Sequence, residues 1–210
     1  MAQRMIHYLM GEFIKDNHIK DLNRFRVGNL LPDAYQGIEN RSVTHFTKRL
    51  MADDEVVRYC DFEGFLALFG DLMVKDDLYL GYFLHLVEDA CFRVYFKGVV
   101  KEWGSVDREA LHQDYHLLNE TIVKKYGLIN EIELLDKFDD EKINEVYPFK
   151  VSEFLEEFNQ DFEEKFEGEA KYFTLEMMEK FLEAYIDICK DAYRCIKEGT
   201  ISDKLRLLKW

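Results

Sequence analysis

His85 and Asp89 are the two residues whose types and spacing point most directly to chemistry. They lie in the stretch DDLYLGYFLHLVEDACFRVYFKGVVKEW (76–103), which contains no proline and repeats its apolar residues at helical spacing. Residues four apart lie one turn above the other on the same face of a helix. A carboxylate among leucines and phenylalanines is costly unless it is paired or bound to a metal ion. The pair therefore indicates either an internal His–Asp hydrogen bond or one half of a metal site.

Two further residues, Asp33 and His45, could complete a metal site with this pair. Two imidazoles and two carboxylates form a ligand set that suits zinc. His7, on or beside the apolar side of the first predicted helix, could approach the same surface. The alternative is a polar network in the core whose members satisfy one another by hydrogen bonds.

A second group, His112, His116 and Glu120, repeats every four residues on a later helix. Four residues rise about 6 Å along a helix, so the three side chains cannot easily bind one ion together. His116 and Glu120 form either a ligand pair or an exposed stripe with a favourable i,i+4 contact. His112 is either a ligand of a different kind or a bystander, and His18 is predicted to be a surface residue.

Long helical patterns dominate the chain and must position these residues. Residues 16–40 contain Gly28, Asn29 and Pro32 and are predicted to be a loop. Residues 43–60 could form a β-hairpin that turns at Ala52-Asp53-Asp54. Helices are predicted at 4–15, 61–73, 76–103, 107–126, 152–166 (capped by Ser152) and 174–198, with a short one at 131–138. The fold class is therefore all-α, a single-domain helical bundle around a long central metal-binding helix, and it allows a small β-hairpin after the first loop.

Length and composition favour one domain over residues 1–210. Seventeen phenylalanines and twelve tyrosines supply ample core material. The four cysteines show no CxxC spacing, so no disulfide framework is expected, and Cys91 is predicted to be a small core residue.

Charge and hydropathy limit the partners. The formal net charge of −14 argues against nucleic acid or an anionic membrane as a bulk partner. No run of about 18 apolar residues occurs, so membrane insertion is not expected. The N-terminal sequence MAQRMIHYLMGEF is too short and too polar for a signal peptide, which predicts a cytoplasmic protein.

Taken together, the order of these motifs resembles the zinc-dependent phospholipase C family, whose relatives include single-strand-specific zinc nucleases. The resemblance covers residues 1–126, and residues 127–210 form an acidic helical C-terminal part. The matching segments are, in chain order, His7, GNLLPD with Asp33, THF with His45, GYFLHLVED with His85 and Asp89, and HLLNE with His116 and Glu120.

The resemblance implies a helical domain that holds a cluster of zinc ions and hydrolyses phosphodiester bonds. By this resemblance Asp33, His45, His85 and Asp89 would bind the first ion. His7 and Asp89 would bind a second, and His116 and Glu120 a third. The family has a further histidine six residues after the bridging aspartate, where this chain has Tyr95, and His112 is a candidate to replace it.

The sequence therefore predicts an enzyme, a zinc-dependent phosphoesterase with one to three ions and a small phosphoester substrate. Asp33 is the predicted catalytic residue, because the resemblance places it beside the water that attacks phosphorus. The alternative is a metal-stabilised helical binding or scaffold protein with the same fold and no activity.

Overall fold

The chain is mostly helical, as predicted, with one small antiparallel hairpin in the part that the structure describes. The structure, a computed structural model, describes residues 3–35, 41–52, 55–100, 105–135, 138, 143, 149–163 and 165–210. The helices are α1 (Arg4–Ile14), α2 (Leu22–Leu30), α3 (Arg41–Thr44), α4 (Phe62–Met73), α5 (Asp77–Val99), α6 (Arg108–Tyr126), α7 (Val151–Glu163) and α8 (Leu175–Lys197). Strands β1 (Thr47–Ala52) and β2 (Glu55–Cys60) form the hairpin, and short 3-10 turns occupy Leu31–Ala34 and Asp203–Leu207.

Side-chain caps fix the N-terminal ends of five helices, α2, α4, α5, α6 and α8. Asp76 accepts a hydrogen bond from Leu78 N–H at the start of α5, and Asp107 does the same for the first turn of α6. Gly127 ends α6 with a φ of 62°, in the left-handed region that favours glycine. These boundaries confirm the helices predicted at 76–103 and 107–126, except that residues 101–104 lie outside the described part.

Three expectations from the sequence were wrong. Residues 22–34 are not a loop, because α2 and a 3-10 turn run through them. The short helix expected from residue 131 does not form over Glu131–Leu135, while most of 136–148 lies outside the described residues. Ser152 is not a cap, because α7 already begins at Val151. In the first case packing against α5 overrides a composition that resembles a loop.

Helices α2 and α5 pack with their backbones in close contact. A Cβ atom on Gly28 would lie 1.9 Å from the carbonyl oxygen of Leu78, and one on Gly81 would lie 2.1 Å from that of Phe25. Both obstacles are backbone atoms, which cannot rotate away. The two glycines therefore allow the helix backbones to touch, and this contact brings the end of α2 against the middle of α5.

Helix α5 is buried along most of its length, from Asp77 to Phe92. It packs against α1, α2, α4 and α8. Aromatic contacts such as Phe65 on Tyr82 and Phe92 on Phe181 fill the space around it. Cys91 is fully buried in this core, and all four cysteines are free thiols, as predicted.

The hairpin confirms the strand pairing predicted for residues 43–60, with β1 starting at Thr47. Its register runs from Thr47 opposite Cys60 to Ala52 opposite Glu55, and the predicted turn at Asp53 and Asp54 lies outside the described residues. Trp210 adds to this sheet, since its backbone exchanges hydrogen bonds of 2.7 and 2.9 Å with Arg58. Over the residues described, no helix has the length and apolarity needed to cross a bilayer.

Candidate metal centre

The face of α5 that carries His85 and Asp89 is closed off from solvent. His85 has no exposed surface and Asp89 is 3% exposed. Three other elements bring side chains to this face. His7 comes from α1, Asp33 from the 3-10 turn after α2, and His45 from the turn between α3 and β1.

The ring of His85 is held by the backbone of α2. Its Nδ1 atom lies 2.8 Å from the carbonyl oxygen of Asn29, so Nδ1 carries the hydrogen and donates it. Burial, and after it the charge of His7, lower the pKa of His85 well below its usual value. His85 is therefore neutral, and its Nε2 atom presents a lone pair to the site.

His45 is held in the same manner from the opposite side. Its Nδ1 atom lies 2.9 Å from the carbonyl oxygen of Arg41, so Nδ1 again carries the hydrogen and donates it to that oxygen. The two Nε2 atoms of His45 and His85 lie 3.2 Å apart. In their neutral forms both carry lone pairs, so the two rings present acceptors to each other.

Carboxylates surround the same point. His45 Nε2 lies 3.2 Å from Asp33 Oδ1 and 3.7 Å from Asp89 Oδ2. With His85 Nε2, three acceptor atoms converge where neutral histidines supply no donor, and the Asp89 oxygen approaches the group through His45. Such an arrangement is repulsive unless a proton or a metal ion lies between the acceptors.

His7 extends the cluster along α5. Its ring stacks on His85 with the centroids 3.8 Å apart, and its Nε2 atom lies 3.7 Å from Asp89 Oδ1. Among the residues that the structure describes, this buried nitrogen has no hydrogen-bond partner. A buried imidazole nitrogen left without a partner beside a carboxylate is a suitable ligand for an ion.

Glu88 holds His7 from behind. Its Oε2 atom lies 2.6 Å from His7 Nδ1, and neither residue is exposed. Asn29 Nδ2 donates to both oxygens of Glu88, at 3.3 and 3.2 Å. Burial lowers the pKa of His7, but Asp89 and Glu88 outweigh this effect and raise it to about 9. Without a metal ion, the carboxylate pair thus keeps a positive charge on His7 at neutral pH, and an ion would have to displace the Nε2 proton before this ring could bind it.

Two arginines neutralise the ligand carboxylates. Arg41 Nη2 donates to Asp33 Oδ1 at 3.1 Å, and Arg93 Nη2 donates to Asp89 Oδ2 at 3.0 Å. Burial would raise the pKa of Asp33, but His45 and Arg41 hold it well below its usual range. Arg93 and His7 do the same for Asp89. Both carboxylates are therefore ionised at neutral pH, as a metal ligand must be.

The donor set fits zinc. Each of the three rings uses Nδ1 for an oxygen atom behind it and directs Nε2 into the cluster, which is the usual arrangement around histidines that bind metal. The ligand atoms form two overlapping groups, His7–His85–Asp89 and Asp33–His45–His85, each within 4.8 Å. His85 belongs to both, so the groups form one continuous site.

The structure does not bring the remaining predicted ligands into this site. His116 lies with its Nδ1 atom 3.8 Å from Asp161 Oδ1, and Glu120 pairs with Lys124 and Lys165 at the surface. His112 is exposed on α6. Burial, and then the charge of Arg41, lower the pKa of His112.

Sequence reasoning missed Glu88, Asn29 and the two arginines. Glu88 could have been found, because it follows His85 by three residues within the same apolar run and so had to be buried like Asp89. Asn29 acts through its carbonyl oxygen and its amide, which no spacing rule reveals. Arg41 and Arg93 resemble ordinary surface charges in the sequence.

No family model, curated protein or solved structure matches this chain. The assignment of a function therefore rests on the residues of the site and on the resemblance of their motifs.

Proposed function

We propose that the protein is a zinc-dependent phosphoesterase, similar to the zinc-dependent phospholipase C family, that hydrolyses a phosphodiester bond with an activated water molecule. One observation carries the proposal. His45 Nε2, His85 Nε2 and Asp33 Oδ1 converge with no donor between them when the rings are neutral, and an oxygen of Asp89 lies 3.7 Å from His45 Nε2. A divalent cation between the three converging atoms satisfies them together, and a small shift would add Asp89.

In this proposal Asp33, His45, His85 and Asp89 hold the ion, and His7 extends the site. A zinc ion bound there supplies Lewis-acid polarisation of a phosphoryl oxygen and makes a nearby water molecule more acidic. The stoichiometry of one to three ions stays a prediction. So does the binding of a third ion by His116 and Glu120.

The protein's own residues orient the reaction. Asp33 Oδ1 contacts both His45 and Arg41, so we assign the attacking water to Oδ2. Because the pKa of Asp33 lies well below its usual range, the carboxylate is ionised and can accept a hydrogen bond from that water, which holds the water in line for attack. His85 and His45 are fixed by the carbonyl oxygens of Asn29 and Arg41, which keeps Nε2 of each ring aimed at the ion.

Substrate would enter beside Asp33. This carboxylate is 10% exposed and Arg41 is 45% exposed, whereas His7 and His85 are fully buried. As parts of the same proposal, residues 1–210 form one domain around α5, the substrate is a small phosphoester, and the protein works in the cytoplasm.

A second candidate function follows from the burial of the site. His7, His85 and Asp89 are almost inaccessible, and closed sites with four protein ligands are usually structural. In that case one ion would stabilise the fold of a binding or scaffold protein without catalysis.

Metal analysis combined with turnover separates the two candidates. Native mass spectrometry of protein purified without added metal should show at least one zinc ion per chain, which chelation removes. Zinc at 100 times its Kd should raise the free energy of unfolding by about 2.7 kcal/mol. Hydrolysis of bis(p-nitrophenyl) phosphate by the zinc-loaded protein supports the enzyme, and a tightly held ion without hydrolysis supports the structural site. A protein that neither contains zinc nor is stabilised by it would refute both.

A further inference from the structure

Arg41 and Arg93 lie on the two outer sides of the cluster. Each guanidinium contacts a carboxylate oxygen that also faces His45 Nε2: Arg41 through Asp33 Oδ1, and Arg93 through Asp89 Oδ2. The two positive charges are therefore each one oxygen atom away from the same imidazole nitrogen. They are placed around the point where an ion would bind.

Arg93 is fixed in this position from three directions. Besides Asp89, its guanidinium contacts Thr47 Oγ1 at 3.4 Å and lies 4.8 Å from the ring centre of Trp210. Its side chain is 13% exposed. A guanidinium held in this way loses little freedom when it binds an additional oxygen atom.

Arg41 is the accessible member of the pair. Its side chain is 45% exposed, and it contacts Asp33 through one nitrogen. A guanidinium has five N–H donors in a planar fork. The contact with Asp33 therefore uses one nitrogen of the fork, and the exposed part of the side chain leaves donors for a ligand beside Asp33.

The charges of the site favour an anion once a metal is present. The carboxylates of Asp33, Glu88 and Asp89 lie in one cluster with the guanidiniums of Arg41 and Arg93. A single divalent ion then gives the site an excess of positive charge. Planar guanidinium groups match the oxygens of a phosphate, to which they form charge-assisted hydrogen bonds.

We propose that Arg41 and Arg93 form a phosphate-binding pair that grips the non-bridging oxygens of the phosphoryl group at this centre. The inference rests on the proposed function for its metal ion, and it assigns to the arginines the recognition of the anionic group. Each guanidinium then binds its carboxylate and the phosphate at the same time. If the two arginines served only to neutralise the carboxylates, their removal would leave phosphate binding unchanged, whereas this proposal requires that it become weaker.

Isothermal titration of inorganic phosphate into the zinc-loaded protein tests the pair. Arg41→Gln should weaken phosphate binding by about 10-fold or more, as expected for the loss of a charge-assisted hydrogen bond. Arg93→Gln should do the same, and Arg93→Lys should restore part of the affinity. Arg194→Gln is the matched control, because Arg194 also pairs with an aspartate, Asp191, on the surface of α8 and is 67% exposed.

Two readouts keep this test separate from that of the proposed function. The zinc content and the unfolding temperature of each variant are measured on the same samples. If Arg93→Gln fails to fold, the phosphate affinity of Arg41→Gln tests the proposal by itself. Equal phosphate affinity in wild type and Arg41→Gln, with zinc bound to both, would overturn the arginine proposal and leave the zinc enzyme intact. If wild type binds no zinc, the proposed function fails, and the same comparison on the metal-free protein decides whether the arginines bind phosphate.

Discussion

The Nδ1 atom of His7 and the Oε2 atom of Glu88 lie 2.6 Å apart, and both side chains are sealed from solvent. The pair connects α1 to α5 at the inner end of the cluster. Glu88 fixes which nitrogen of His7 faces Asp89, since a carboxylate on Nδ1 leaves Nε2 for the proposed ion. In the proposed site Glu88 therefore acts as a positioning residue and not as a ligand.

Glu88→Gln should weaken zinc binding about 10- to 100-fold, the usual effect of losing a partner behind a metal ligand. Glutamine keeps the shape and an acceptor oxygen, so the fold should survive. Competition with a chelator of known affinity measures the change. Glu63→Gln, on the exposed face of α4, is the control and should bind zinc as wild type does. Unchanged zinc affinity in Glu88→Gln would place His7 outside the metal site.

Gly81→Ala should severely destabilise the protein, by more than about 3 kcal/mol, because its Cβ would overlap the backbone of Phe25 at 2.1 Å. The same overlap pushes α2 away from His85. Gly98→Ala, in the same helix with nothing within 4 Å of the added Cβ, should instead stabilise by up to about 1 kcal/mol. Denaturant unfolding of both variants measures the contrast. Similar stabilities for the two would contradict the close packing of α2 on α5.

The stability of the chelated protein should fall as the pH rises from about 6.5 to about 9. The pKa of His7 is raised to about 9 in the folded protein, above its value in the unfolded chain, so its proton stabilises the fold fully below pH 6.5 and is lost as the pH passes 9. Zinc binding must follow the opposite trend, because Nε2 has to lose its proton before it can bind a metal.

Measurements over this pH range test both trends: the free energy of unfolding of the chelated protein should fall as the pH rises, and the zinc affinity should rise. His7→Asn should remove both dependences, while His18→Asn should change neither, because His18 is 77% exposed and lies at the surface, as predicted. A wild-type zinc affinity that does not rise with pH would show that His7 does not bind the ion.

Asp33→Asn should lower phosphodiesterase activity by about 10²- to 10⁴-fold in metal-loaded protein, because an amide cannot accept the proton of the attacking water. Asparagine keeps one coordinating oxygen, so much of the bound zinc should remain. Turnover of bis(p-nitrophenyl) phosphate at matched zinc content is the measurement. Asp203→Asn, at a side chain that is 93% exposed, is the control. Full activity in Asp33→Asn would mean that another group activates the water.

The helices could be predicted from the sequence wherever periodicity and caps agree. Asp107, Gly127 and Thr174 each lie within one residue of a helix end in the structure. The segment around Gly28 could not be predicted, because glycine, asparagine and proline are typical of loops. Their actual role depends on a helix some fifty residues further along the chain, and no local pattern contains that contact.

The residues of the site were predictable for a different reason. A histidine and a carboxylate on an apolar helix face need polar partners, so His85 and Asp89 predict a polar cluster in the core. The partners that act through backbone atoms, such as Asn29, carry no such signal. The roles of Arg41 and Arg93 could not be predicted either, since arginine is common on any protein surface.

The backbone contact at Gly28 and Gly81 offers a way to recognise distant relatives by sequence. Any protein that keeps this arrangement needs a small residue where the two helices touch, followed on one helix by the residue whose carbonyl oxygen meets the imidazole. The pattern is therefore Gly-Asn at the end of one helix and Gly-x-x-x-His within another, read from Gly28-Asn29 and Gly81 to His85. Such a pair of short motifs can persist after overall similarity has disappeared.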